Sequence, residues 1–233
     1  MTEQLVFELA APEPPSFANF LPGGNAEAFA AVKALAEGDA AETGVMLWGS
    51  PGAGKTHLLR ATVDAVRARA GAAAFVAAPG ELLAQDPGTL SRQSVVAIDS
   101  IEHASPEAQA RMFTLFNGLR ERGGHLLVAN RMPLAALPLR DDLRTRLGWG
   151  LVYELKPLAD ADKPAALAAF AQARGFRLAD EVIRYLLAHG RRDMGALIAV
   201  LVALDRHSLA TKRPITVPML RAWLQQDMDL GRD

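Results

Sequence analysis

The 233-residue sequence contains no cysteine. That absence removes disulfide frameworks, thiolate zinc sites, iron–sulfur clusters and cysteine nucleophiles together. It is consistent with a reducing compartment. Aromatic residues make up only 6% of the chain while alanine is abundant, which favours helices filled by Ala and Leu. No run of 18 uninterrupted apolar residues occurs, so no membrane-spanning helix is expected. An excess of either charge is also lacking. Lys and Arg total 25 against 26 Asp and Glu, a formal net charge of −1, which excludes a chain that coats nucleic acid by net charge. The histidines (His57, His103, His125, His189 and His207) are scattered without ligand spacing, so no protein-held zinc site is expected. The chain opens MTEQLVFEL, with Glu3 where a signal peptide requires Lys or Arg, so a cytoplasmic protein is expected.

What is present has a clear order. The length suffices for a full hydrophobic core, as one domain with a small lobe attached. Residues 4–9 read QLVFEL, and Pro12, Pro14 and Pro15 then make a stiff linker that cannot be helical. The hexapeptide is either tethered outside the core or an edge strand. Next comes a turn and a helix with Asn25 as N-cap, an apolar stripe of Ala28, Phe29, Val32, Leu35 and Ala36, and a stop at Gly38. Short apolar runs at 44–48, 72–78, 94–99 and 125–130 predict buried parallel strands, and 151–155 predicts a fifth strand. Helical patterns separate them, from Lys55 to about residue 70 and from Pro106 to Gly123. Strand and helix alternating this way predict an α/β domain with a parallel sheet. After Pro157 only helical patterns follow, at 162–174, 180–189, 193–210 and 217–226. The expected organisation is a peptide and linker at 1–15, an α/β domain at 16–156 and an all-helical lobe at 157–233.

Residues Gly49 to Thr56, GSPGAGKT, match G-x-x-x-x-G-K-[ST] at every fixed position, between an apolar strand and a helix. The run Gly49, Ser50, Pro51, Gly52, Ala53 and Gly54 supplies backbone N–H groups for phosphate oxygens, helped by the helix N-terminus. Lys55 would reach the β- and γ-phosphates, and Thr56 would ligate Mg²⁺. Such a loop needs a metal-organising acid at the end of a neighbouring strand, and VVAID supplies Asp99. The residue after Asp99, where many ATPases carry a water-polarising carboxylate, is Ser100. Glu102 stands close by and either replaces that carboxylate or caps the next helix. Asn130, ending HLLVAN, either orients the attacking water or closes a turn. Weak intrinsic hydrolysis is the expectation.

These pieces together resemble the AAA+ ATPases, and more narrowly the family of the bacterial initiator DnaA. SFANFLPGGNAEAFAAVKALAEG, with Phe17, Phe20, Gly24 and Asn25, resembles that family's segment before the phosphate loop. LRTRLGWGLVYELKPLADADKPAAL (143–167) resembles its arginine-finger segment. The resemblance covers nearly all of residues 16 to 210, without the initiator's N-terminal or helix-turn-helix domain. QLVFEL in their place makes the chain similar to the family of DnaA regulatory inactivators, the Hda family. The implied fold is an α/β AAA+ P-loop NTPase domain followed by a small all-helical lid.

The resemblance assigns further roles. Arg146 would be an arginine finger acting in trans on a neighbour's γ-phosphate; otherwise it is one surface arginine among Arg140, Arg144 and Arg146. Asn130 would be the first sensor. Arg192 would reach from the lid to the chain's own nucleotide, with Arg191 as the adjacent alternative. Phe20 and Leu21 would pack on adenine, unless they are plain core. Gln4, Leu5, Phe7 and Leu9 would bind the β sliding clamp of DNA polymerase III, a groove-docking mode suited to a tethered apolar peptide. The implied cofactors are ADP or ATP with Mg²⁺. The implied partners are the initiator DnaA, the clamp, DNA indirectly through the clamp, and no membrane; a homo-oligomer is left open. The expected function is stimulation of DnaA's ATP hydrolysis, which prevents re-initiation of replication. The alternative is an autonomous ATPase of the helicase-loader type.

Overall fold

The structure is a computed structural model that describes residues 14–190 and 193–230. Five strands form one parallel sheet: β1 (Gly44–Trp48), β2 (Ala73–Val76), β3 (Val95–Ile98), β4 (His125–Asn130) and β5 (Leu151–Glu154). Their order is β2-β3-β4-β1-β5. The central strands read as unbroken apolar runs because both faces of the sheet are covered. Side chains alternate between two cores with period two. Val45, Leu47, Val95, Ala97, Leu127 and Ala129 point to one core, shared with helices α1 (Ala26–Glu37) and α2 (Lys55–Ala68). Met46, Val96, Ile98, Leu126 and Val128 point to the other. That second core is closed by the short α3 (Pro87–Leu90), by α4 (Pro106–Glu121) and by α5 (Asp141–Gly148).

The local signals explain where most elements stop. Gly38 takes a left-handed φ of +82° and ends α1. Pro106 occupies the first turn of α4, and the Ser105 side chain caps it by accepting from the Ala108 N–H. Asn25 departs from expectation. It stands at the N-cap position of α1 but makes no cap hydrogen bond. Its buried side chain instead pairs with the backbone of Lys156, donating to the carbonyl and accepting from the N–H, both at 2.8 Å. Two bonds to extended backbone satisfy the amide better than one cap bond, and they tie the entry of α1 to the chain leaving β5.

A separate compact unit begins at Leu158. Its helices are α6 (Lys163–Ala173), α7 (Asp180–His189), α8 (Met194–Thr211) and α9 (Val217–Leu230). They enclose their own core of Leu167, Phe170, Leu186, Leu201, Leu204 and Trp223. By length and composition α8 is the one helix among the described residues able to cross a membrane. Asp205, Arg206 and His207 interrupt it, and Leu197, Leu201 and Leu204 are buried in the lobe's core.

The other unit, Pro15–Pro157, depends on a close approach at its edge. A Cβ at Gly150 would lie 2.1 Å from the Gly44 carbonyl oxygen, so only glycine lets the chain start β5 against β1. Gly150→Ala is expected to destabilise the protein by about 1–3 kcal/mol through overpacking. Gly80, with open space around it, is the control, and Gly80→Ala should stay within about 0.5 kcal/mol in chemical denaturation.

Candidate functional site: a phosphate loop facing two strand ends

The loop Gly49–Gly54 joins β1 to α2. Gly49 (φ +148°) leaves no room for a side chain, since a Cβ would meet the Leu155 carbonyl oxygen at 2.3 Å. Gly54 (φ +96°) lies under the Phe20 ring, whose Cε2 would be 2.6 Å from an added Cβ. The loop is thereby held between the chain leaving β5 and the segment before α1. Lys55 Nζ donates to the carbonyls of Gly49 (2.7 Å) and Ser50 (2.8 Å). Burial holds its pKa below the ordinary lysine value; nearby Asp99 and Glu102 oppose that, and Arg131 adds to it. A buried cation beside exposed backbone donors suits a polyphosphate.

Asp99 leaves β3, which is not a direct neighbour of β1 as the sequence suggested. Strand β4 lies between them. The carboxylate nevertheless reaches the loop: Thr56 Oγ1 donates to Asp99 Oδ2 at 2.5 Å. The other oxygen accepts from the Ser100 N–H at 2.8 Å. Ser100 itself adopts a left-handed φ of +57°, uncommon for a residue other than glycine. A hydroxyl and a carboxylate brought together from α2 and β3 fit an Mg²⁺ that arrives with phosphate. Among the described residues no group of three or more His, Cys, Asp or Glu could hold a metal without it.

The inserted strand β4 ends with Asn130, paired in register with Trp48 just before the loop. Asn130 divides the two roles expected of it. Its Oδ1 accepts from the Met132 N–H at 2.9 Å and closes the turn, while its buried Nδ2 has no hydrogen-bond partner among the described residues. Glu102 lies in the turn Ile101–His103 and does not cap α4, which Ser105 does. Its side chain is only 4% exposed, and neither oxygen has a hydrogen-bond partner among the described residues. Its nearest cation is Arg131 Nε, at 3.5 Å, from the residue after Asn130.

On the other side of the loop, Phe20 stacks on Phe29 with centroids 5.6 Å apart and planes 5° from parallel. Phe20 also meets His57 at 5.4 Å, and His57 Nε2 pairs with the Ser16 carbonyl at 2.9 Å. Phe20 is thus both part of the core and a cover over the loop, whereas Leu21 is simply half-buried beside it.

The arginines around α5 separate cleanly. Buried Gln109 accepts from the Arg140 N–H and donates to the carbonyls of Ala104 and Pro138, which ties α4 to the entry of α5. The Arg140 side chain pairs with Asp142 at 2.7 Å. Arg144 pairs with Asp141 at 3.0 Å and donates to the carbonyls of Leu137 and Leu139. Among the described residues Arg146 meets no carboxylate; its guanidinium lies over Trp149, 3.9 Å from the ring centroid, and 5.5 Å from that of Phe113. Arg191, Arg192 and the peptide residues Gln4, Leu5, Phe7 and Leu9 lie outside the described residues.

Comparison with known proteins accounts for this architecture. Residues 160–224 match the family model described as Hda, lid domain, and residues 13–84 match that of the bacterial DnaA ATPase domain. The chain belongs to the DnaA-related AAA+ proteins. Solved structures agree on the fold. Domain III of the replication initiation protein DnaA from Thermotoga maritima is similar at TM-score 0.72 and 19% identity, covering 92% of this chain and 97% of that one. AMPPCP-bound DnaA from Aquifex aeolicus is similar at TM-score 0.70 and 20% identity, covering 83% and 65%. The Thermotoga maritima RuvB Holliday junction branch migration motor is similar at TM-score 0.61 and 17% identity, covering 89% and 70%.

In this DnaA-related chain several site residues had no signal in the sequence. Arg131 is set apart only by following Asn130, and Gln109 looks like any polar residue of a helix. His57 follows the phosphate-loop Thr56, but only the fold brings Ser16 and Phe20 to it. Burial disfavours its charged form, so its pKa is lowered from 6.5 despite the backbone contact to Ser16. The unfolded chain therefore takes up the proton first as pH falls. Stability linked to His57 is full above about pH 6.5 and is lost as pH falls toward the lower folded-state value. The melting temperature should drop over that interval, and less so in His57→Gln.

Proposed function

We propose that this chain is a nucleotide-binding AAA+ regulator that acts on the replication initiator DnaA. The observation that carries the reading is Arg146. Of the three arginines around α5 it is the one held by aromatic rings, with no carboxylate on its guanidinium among the described residues. A planar, permanently charged fork left open this way suits phosphate oxygens. Presented to ATP bound by DnaA, Arg146 would stabilise the charge of the transferring phosphoryl group. The product, DnaA with ADP, would no longer start a second round of replication.

The chain's own site would hold ADP or ATP between the Lys55 loop and Phe20, with Leu21 alongside. Thr56 and Asp99 would hold Mg²⁺, which would supply charge neutralisation for the nucleotide phosphates. Arg192 would reach that nucleotide from the lid. Hydrolysis there would be slow, because Ser100 follows Asp99 and Glu102 stands beside Arg131. Asn130 Nδ2, buried and unpartnered, is the group available to a water or a γ-phosphate. Gln4, Leu5, Phe7 and Leu9 would dock the chain on the DNA-loaded β clamp, so that a protein of net charge −1 reaches DNA indirectly. It would work in the cytoplasm, at the replisome.

A reconstitution tests this. With ADP, DNA-loaded clamp and ATP-bound DnaA, the wild-type protein should accelerate ATP loss, and Arg146→Ala should cut that acceleration by about 10³-fold or more. Full activity of Arg146→Ala sinks the reading. Gln4→Ala should weaken retention on a clamp column, and unchanged retention would favour a helicase-loader role instead. For the chain's own site, Lys55→Ala should abolish the thermal stabilisation that Mg·ADP or Mg·ATP gives the wild type. In the wild type alone, ATP turnover at the rate of a motor ATPase would contradict the expected slow hydrolysis.

A further inference from the structure

We propose that Trp149 is the positioning residue for Arg146: an aromatic platform, shared with Arg120, that aims the guanidinium outward and keeps it unpaired. The inference rests on the reading of Arg146 as a residue acting in trans, and it adds two residues to that reading.

Trp149 is half exposed, an unusual setting for the largest apolar side chain on a surface already rich in polar residues. Its ring carries two cations, Arg146 at 3.9 Å and Arg120 at 4.9 Å from the centroid. Neither arginine has a carboxylate partner among the described residues, although Asp141 and Asp142 lie only one turn earlier on α5. Those two carboxylates are taken by Arg144 and Arg140. A guanidinium paired to a carboxylate is neutralised and spends its N–H edge. One lying over a ring is attracted by the π face and keeps that edge open. A second guanidinium on the same ring raises the local positive potential and favours an incoming polyanion.

The platform's backbone is anchored from below. The Trp149 backbone N–H donates to the Arg146 carbonyl at 3.2 Å, so the two residues share the turn that ends α5. Gly150 follows in a gap that admits no side chain, against Gly44, and Leu151 then pairs with Val45 in the sheet. The Trp149 backbone is thus held at this junction, which sets where its ring meets Arg146. Phe113 of α4 closes another side of the guanidinium at 5.5 Å. A flexible arginine would lose rotamer entropy on meeting phosphate; one already held by rings loses less.

The test uses the same reconstitution with Trp149→Leu, Trp149→Phe and Arg146→Ala. Trp149→Leu keeps apolar bulk but no π face. It should lower the maximal rate of DnaA ATP loss about tenfold while leaving the half-saturating DnaA concentration unchanged. Trp149→Phe should return the rate to within about threefold of wild type. A rise in half-saturating concentration alone would make Trp149 a plain contact and overturn the platform. A wild-type rate in Trp149→Leu alongside an inactive Arg146→Ala would overturn the platform and leave the reading of Arg146 standing. An active Arg146→Ala would remove both. A second measurement needs neither DnaA nor a folded Trp149 variant. The difference in tryptophan emission between wild type and Arg146→Ala should show a change from Trp149, and identical spectra would overturn the contact.

Discussion

Strand β4 hydrogen-bonds β1 on one side and β3 on the other, and that placement decides what meets at the phosphate loop. Because β3 is one strand removed from β1, Asp99 must reach across to the loop, and it does so through Thr56. Because β4 fills the gap, Asn130 emerges between them, with Arg131 beside the buried Glu102. All five strands run parallel, so their C-terminal ends form one rim. Asp99 follows β3 and Asn130 ends β4 on that rim, while the body of each of those strands is buried on both faces. Charge is concentrated where the apolar runs stop.

The same sheet edge supports the other end of the domain. Tight glycine contacts hold the backbone where polar chemistry is arranged. Gly49 lies against Leu155 at the loop, and Gly150 against Gly44 at the start of β5. Asn25 adds a polar clasp between α1 and Lys156. These contacts fix the chain on both sides of β5 and α5. The arginines on α5 are then sorted by what is in reach. Carboxylates take Arg140 and Arg144, and rings take Arg146. Sorting of this kind matters because three arginines within seven positions are chemically interchangeable until their neighbours differ.

Much of the architecture was legible beforehand for plain reasons. Parallel strands covered on both faces must be apolar throughout, so GVMLW, VVAI and HLLVAN stand out from their surroundings. Gly38, Pro106 and Gly123 punctuate the helices as their backbone restrictions require. The loop GSPGAGKT carries its glycines, lysine and threonine in consecutive sequence, so its chemistry reads locally. What could not be read was any partnership between distant residues. Asn25 looked like a helix cap because capping is a local habit, and its bond to Lys156 spans most of the domain. Glu102 looked like a cap for the same reason, and its burial became visible only with β4 and Arg131 beside it. His57 and Gln109 had no local signal at all.

The sequence by itself determined the class of fold, the succession of its strands along the chain, the phosphate loop and the separate helical lobe, but not α3 or α5, because periodicity, turn residues and contiguous motifs act over a few positions. Only the tertiary structure decided the spatial order of the strands in the sheet, the Thr56–Asp99 contact across an inserted strand, the unpartnered Nδ2 of Asn130 among the described residues, and the packing of Arg146 on rings where Arg140 and Arg144 meet carboxylates. Each of these is a contact between segments far apart in the chain, and its strength depends on burial and distance that no local pattern encodes.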